Sequence, residues 1–191
     1  YDIGVKIVYP AATSGENTTP DGSGAPYPVL VMLPPMGGPE ESYNNIAGQV
    51  VSWGYICVVV GPNWNDFGNS ANSTDINEIL DYMEAANATA GHDLHSMVDQ
   101  NAVGIMGYSS GGGLAVIDAA LVGRIRSLVA FAPAISDSTL DILAQFFKKP
   151  FQFQAGDGDD YYGAHAIHGF NAFPPPKAFL NTKNGSHGGP F

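Results

Sequence analysis

A single cysteine, Cys57, stands in 191 residues, so no intrachain disulfide can form. It lies in the apolar run Tyr55 to Val60, where a buried, inert thiol is expected. Basic residues are scarce too: 7 Lys and Arg against 18 Asp and Glu leave a net charge of −11. No basic cluster exists anywhere in the chain, which argues against nucleic acid or an anionic membrane surface as a partner. No apolar run approaches the roughly 20 residues that cross a bilayer. No signal-peptide pattern is visible, and a cleaved one would leave no trace, so secretion stays open. Internal repeats and dividing linkers are absent, and residues 1–191 read as one domain. Charged residues make up only 13 % of the chain, so Asn, Ser, Thr and Gly must dress its surface.

What is present is a series of short apolar runs alternating with helical patterns. Ile3 to Tyr9 alternates as an edge strand does, and Val29 to Leu33, Tyr55 to Val60, Ala102 to Met106 and Leu128 to Phe131 read as buried strands. Phe151 to Ala155 and Lys177 to Leu180 complete the set. Helices are expected over Glu40 to Trp53, from an Asp75/Glu78 capping pair onward, over Leu114 to Val122 with Gly123 as the stop, over Thr139 to Phe147 and over Ala164 to Ala172. Buried strands alternating with helices predict an α/β domain with a mostly parallel sheet.

One stretch carries chemistry. Gly107-Tyr108-Ser109-Ser110-Gly111 is a G-x-S-x-G pentapeptide between a strand and a helix. In that context the motif forms a nucleophile elbow, a sharp turn with the serine at its tip. A serine hydroxyl needs a base, and the base needs an orienting acid. The chain order Ser, acid, His confines both to residues beyond 109. His187 follows the last strand, in the small-residue loop 184–189, and is the expected base. His165 and His168, three apart on a helix, form an alternative metal pair, as do His92 and His95, but no third ligand accompanies either pair. For the acid, Asp157, Asp159 and Asp160 compete in the turn after Phe151 to Ala155; the register after Gly156 favours Asp159, and a cation site made by all three is the other reading. An oxyanion needs two donors: the Ser110 N–H, and one from the loop after Leu33, where Pro34 and Pro35 carry no N–H and Met36 is the first able to donate, with Gly37 next. No metal or other cofactor is called for.

With these motifs the chain resembles the α/β-hydrolase superfamily over about residues 3 to 190. Within it, the chain resembles the cutinase-like polyester hydrolases, including those acting on poly(ethylene terephthalate); dienelactone-hydrolase-like and chlorophyllase-like esterases look similar too. In those polyester hydrolases Trp or His precedes the nucleophile and Met follows it, before three glycines; here Tyr108 and Ser110 flank Ser109, with Gly111 to Gly113 behind. Their acid matches Asp159, and their G-x-S-H matches Gly185-Ser186-His187. Their aromatic oxyanion donor stands at Met36, their tryptophan wall near Ala134 or Ile135, and their acyl-gripping apolar residue at Tyr161. The resemblance implies a compact α/β-hydrolase fold without a large lid, with helices on both faces of the sheet. It implies a secreted or extracellular serine esterase with catalytic Ser109, Asp159 and His187. The substrate is then a polyester or a short to medium acyl ester, met by Tyr108, Tyr161 and Ala134, with Trp64, Phe67 and Tyr162 as further aromatic candidates. A small-ester or lactone hydrolase is the rival enzyme, and a non-catalytic binding protein of the same fold the rival from another class.

Overall fold

The computed structural model describes residues 4–38, 40–61 and 73–188. Its elements in chain order are β1 (Val5–Val8), β2 (Tyr27–Leu33), a 3-10 turn (Glu40–Tyr43), α1 (Asn44–Val51), β3 (Ile56–Val60), α2 (Ser73–Ala88), β4 (Val98–Tyr108), α3 (Ser110–Leu121), β5 (Ile125–Phe131), α4 (Asp137–Ala144), β6 (Phe151–Gly156), α5 (Tyr162–Ala172) and β7 (Lys177–Thr182). The strands form one sheet in the order β1-β3-β2-β4-β5-β6-β7. Only β1 runs antiparallel, pairing Val5 with Val60 at one edge; every other neighbouring pair is parallel. This is the mostly parallel α/β sheet expected from the alternating pattern, in the α/β-hydrolase arrangement that the resemblance implies.

The sheet sorts its side chains by the two-residue period of a strand. One face carries Val29, Val31, Ile56, Val58, Ile105, Leu128 and Phe153, packed with Ile76, Met83, Ala115 and Val116 of α2 and α3 in one large core. The other carries Met32, Cys57, Val59 and Met106, covered by Tyr43 and Ala47. Helices therefore lie on both faces, unevenly, with α1 the one α-helix on the second among the described residues. Cys57 is fully buried, and burial pushes its thiol up to about 12, so it is inert as expected.

Several boundaries depart from the sequence reading, each for a packing reason. Strand β4 begins at Val98, four residues early, because Val98 and Asp99 pair with Tyr27 and Pro28 ahead of a register shift, after which the pairing resumes at Val103 with Val29. Helix α3 starts at Ser110 although Gly111 to Gly113 are poor helix formers; those glycines are buried, and close packing overrides propensity. Gly123 does not end that helix through a left-handed turn: Val122 turns extended, and the Lys149 ammonium donates to the Ala119 and Val122 carbonyls, capping the helix from outside. Lys177 does the same for α5 through the carbonyls of Phe170 and Phe173. Helix α2 begins two residues before Asp75, which so stands inside the first turn rather than ahead of it.

The chain passes from β2 out to β3 and back to β4 on the other side of β2, so the connection reverses direction between β2 and β4. In open α/β sheets the loops at the carboxyl ends of strands flank a crevice at such a reversal. The loops after β2 and β4 are the two that hold Met36 and Ser109.

One buried group has no chemical role in that crevice. Asp118 of α3 is fully buried, and neither carboxyl oxygen has a hydrogen-bond partner among the described residues. Burial, reinforced by the nearby Asp75 carboxylate, raises its pKa to about 8. The unfolded chain gives up this proton near about pH 4. Between those values the folded state binds one proton more than the unfolded state, so stability falls as pH rises from about 4 to about 8. Asp118→Asn removes this slope. Thermal melts should show the variant more stable than the parent at pH 8 by at least about 2–4 °C, the shift expected for about 1 kcal/mol in a domain of this size. The difference should shrink toward pH 4. A parent that is as stable as the variant at pH 8 would show that the carboxylate is accommodated.

Candidate active site

The elbow is built by close backbone approach. A Cβ on Gly107 would lie 2.2 Å from the Gly111 carbonyl oxygen, and one on Gly111 would lie 2.2 Å from the carbonyl oxygen of Leu33. Side chains at either place are excluded, which is why the pentapeptide needs both glycines. Between them Ser109 takes φ 55° and ψ −118°, a conformation costly for a residue with a side chain. Three backbone bonds hold it there: the Ser109 N–H donates to Phe131 O at 2.9 Å, and Ser109 O accepts from Gly113 N–H at 2.9 Å and Ala134 N–H at 2.7 Å. The strain is thus fixed by β5 and the loop after it.

The acid and base loops meet by the same device. A Cβ on Gly156, the last residue of β6, would lie 2.1 Å from the Gly185 carbonyl oxygen. Gly158 N–H donates to Gly185 O at 2.9 Å, and Asp157 N–H to Thr182 O at 3.1 Å. The Asp157 carboxylate accepts the Asn184 N–H at 2.5 Å, so this residue braces the histidine loop rather than the imidazole. Asp160 is exposed. Asp159 is the aspartate that reaches the histidine: its Oδ2 lies 2.7 Å from His187 Nδ1, and its side chain is only 4 % exposed. Its other oxygen accepts the Tyr162 N–H at 3.1 Å. His187 Nε2 in turn lies 3.1 Å from Ser109 Oγ. Residues 109, 159 and 187, chosen on the sequence, thus come together in one hydrogen-bonded line.

Ser110 opens α3 and is buried, with its N–H among the first of the helix, where no intrahelical acceptor exists. Its hydroxyl has no partner among the described residues. Met36 sits in a turn closed by the Gly38 N–H on Pro35 O at 2.9 Å, with Gly37 at φ 68°, and its own N–H has no backbone partner among the described residues. The Leu33 and Pro34 carbonyls that crowd Gly111 bring this loop against the elbow. The Met36 side chain is 64 % exposed and that of Tyr161 is 66 % exposed. Ala134 lies half-buried beside the serine backbone. Tyr108 differs from a free substrate contact: its hydroxyl donates to the His187 carbonyl oxygen. Trp64 and Phe67 lie outside the described residues.

Sequence reasoning named Tyr162 only as a further aromatic candidate for the substrate, not as a neighbour of the histidine. Its ring stacks on the His187 imidazole with centroids 4.4 Å apart and planes 31° apart. Its position three residues after the acid, at the start of α5, is the signal that could have found it. The histidine pairs considered as metal ligands serve other contacts. His165 bonds to Asp137 at 2.6 Å and His168 to Asp141 at 2.8 Å, tying α5 to α4, and no group of metal-ligating geometry occurs among the described residues.

Gly156→Ala should force the acid and histidine loops apart. Urea unfolding should show a loss of about 1–3 kcal/mol, the usual cost of overpacking a rigid backbone contact. Gly188→Ala is the control, since a Cβ there meets nothing within 4 Å. Equal stability of the two variants would contradict the close approach.

Set beside known proteins, the chain finds no match among curated sequences. A family model does match, PETase (PET hydrolase-like), over residues 4–190, which is nearly the whole chain. Together with the parallel sheet and the strand-turn-helix at Ser109, that match places this chain in the PETase family of PET hydrolase-like proteins.

Proposed function

We propose that this protein is a serine carboxylic-ester hydrolase that uses Ser109 as nucleophile, His187 as general base and acid, and Asp159 as the group that orients the imidazole. The observation that carries the reading is the unbroken line from Asp159 Oδ2 through His187 to Ser109 Oγ, with contacts of 2.7 and 3.1 Å. In the first step the Ser109 Oγ–H proton passes to His187 Nε2 as Oγ bonds the ester carbonyl carbon. The carbonyl oxygen becomes an oxyanion, met by the N–H groups of Ser110 and Met36. Collapse breaks the bond to the alkoxy oxygen, which leaves as an alcohol with the proton from His187. Water then attacks the acyl-enzyme by the same sequence and releases the acid. No metal or organic cofactor enters this scheme.

On substrate, family membership and the exposed side chains point the same way. Met36 and Tyr161 are exposed and Ala134 is half-buried beside the Ser109 backbone, and we infer from them an open apolar shelf suited to flat, water-poor acyl groups. We infer activity on polyesters such as poly(ethylene terephthalate) and on short to medium acyl esters. A solid polymer cannot enter a cell, so the reading includes action outside it. The second reading, a small-ester or lactone hydrolase, is favoured by the small residues Ala134 and Ser110 where the resembling polyester hydrolases carry Trp and Met.

Ser109→Ala should lower kcat by several orders of magnitude with the fold intact by circular dichroism. Asp159→Asn should cost far more than Asp157→Asn or Asp160→Asn, because only Asp159 touches the imidazole. A folded Ser109→Ala protein that still turns over a nitrophenyl ester would refute the assignment. Polymer activity is a separate outcome: soluble terephthalate or its monoester, measured by chromatography above a film, should exceed the Ser109→Ala control. No release while a short ester is hydrolysed freely would leave the small-ester reading standing alone.

A further inference from the structure

From the geometry we infer that Tyr108 is a positioning residue for the base, tying the His187 loop to the strand that carries the nucleophile; this rests on the serine-hydrolase reading above. The imidazole is held along its own plane by two hydrogen bonds, to Asp159 at 2.7 Å and to Ser109 at 3.1 Å. Neither fixes the backbone that bears the ring. That backbone is a small-residue loop: Gly185 precedes it, and Gly188 after it has nothing within 4 Å of where its Cβ would be. Asp157 and Gly158 brace the loop at Asn184 and Gly185, and the stretch beyond them is free to shift unless its own polar groups are engaged.

The Tyr108 hydroxyl engages one of them. It donates to the His187 carbonyl oxygen at 2.5 Å, bridging positions 79 residues apart in the chain. Tyr108 directly precedes Ser109 and closes β4, where it pairs with Phe131 of β5. The base and the nucleophile are therefore fastened to the same strand end, within one residue of each other. The rings complete the support. The Tyr108 ring lies 5.3 Å from the imidazole at 34°, and the Tyr162 ring lies 4.4 Å away at 31°. Burial, and next the Asp159 carboxylate, hold the Tyr108 hydroxyl above its ordinary pKa, so it keeps its proton and donates throughout the working range. An error of an ångström in placing a base is enough to cost on the order of 100-fold in rate, which gives this bond its importance.

The test separates positioning from substrate contact. Tyr108→Phe keeps the ring and deletes only the donor. We expect kcat to fall about 10-fold on acetate, butyrate and longer nitrophenyl esters alike, with KM within about twofold and an unchanged melting temperature. Labelling of Ser109 by a small neutral phosphonate should slow by the same factor, because that reaction uses the same base. Tyr108→4-aminophenylalanine, which restores a donor at the same place, should recover most of the rate. A loss that appears only with long acyl groups, and mainly in KM, would overturn the proposal in favour of a substrate contact. Labelling of Tyr108→Phe at the parent rate would overturn it while leaving the serine-hydrolase reading in place. If the parent itself is not labelled at Ser109, that reading falls and the positioning role falls with it. Should Tyr108→Phe fail to fold, the rates of the 4-aminophenylalanine and 4-fluorophenylalanine variants decide, since both keep the ring's bulk and only the first donates; equal rates would overturn the proposal.

Discussion

How closely one stretch of backbone can pass another sets the geometry of this site. At Gly107 and Gly111 the strand, the turn and the neighbouring loop approach to distances that no Cβ would tolerate. The approach holds Ser109 in its strained conformation and lays the Met36 loop beside the elbow. A second approach, of Gly156 to Gly185, joins the loops that carry Asp159 and His187. These approaches thus join the loops in pairs, that after β2 with that after β4 and that after β6 with that after β7. The Asp159–His187 bond spans the second pair, and the His187–Ser109 bond, with Tyr108 on the His187 carbonyl, crosses from that pair to the first.

The sheet and its core supply the rigidity behind that geometry. Phe147, Phe151, Phe153 and Phe173 pack with ring centroids 4.7–5.9 Å apart, fixing β6 against the end of α5. Such pairs contribute about 0.5–1.5 kcal/mol each beyond their buried area. The turn 157–161 runs between those two elements, so it inherits their order. The chain has only 7 basic residues, and two of its lysines serve helix ends: Lys149 caps α3 and Lys177 caps α5. Asp118 is the exception to this consistency, a buried carboxyl with no described hydrogen-bond partner beside a second acid.

Much of this was legible in the sequence because it rests on local rules. The buried strands announced themselves as β-branched runs, and the elbow by its glycines and its strand-helix setting. Chain order confined base and acid to residues beyond 109, and position after the last strand and after Phe151 to Ala155 then singled out His187 and one acidic turn. Choosing Asp159 over its two neighbours needed the register after Gly156, which local pattern indicated; its Oδ2 lies 2.7 Å from His187 Nδ1. What stayed hidden depends on distant residues. Nothing near Gly123 reveals that Lys149 caps the helix there. Nothing around Tyr108 reveals that its hydroxyl meets a carbonyl 79 residues on. Tyr162 was visible only as an aromatic near the acid, since stacking on the imidazole requires the turn of α5 to be known.

The central claim is that Ser109 carries the acyl group. Rapid mixing with a nitrophenyl ester, acid quenching within the first turnover and peptide mapping by mass spectrometry test it directly. The account predicts a burst of nitrophenol of about one equivalent per chain when deacylation is the slower step, with the acyl mass on the peptide containing Ser109. Turnover with the acyl mass on another residue, or none trapped on Ser109 under quench conditions that preserve a serine ester while a burst is seen, would contradict it.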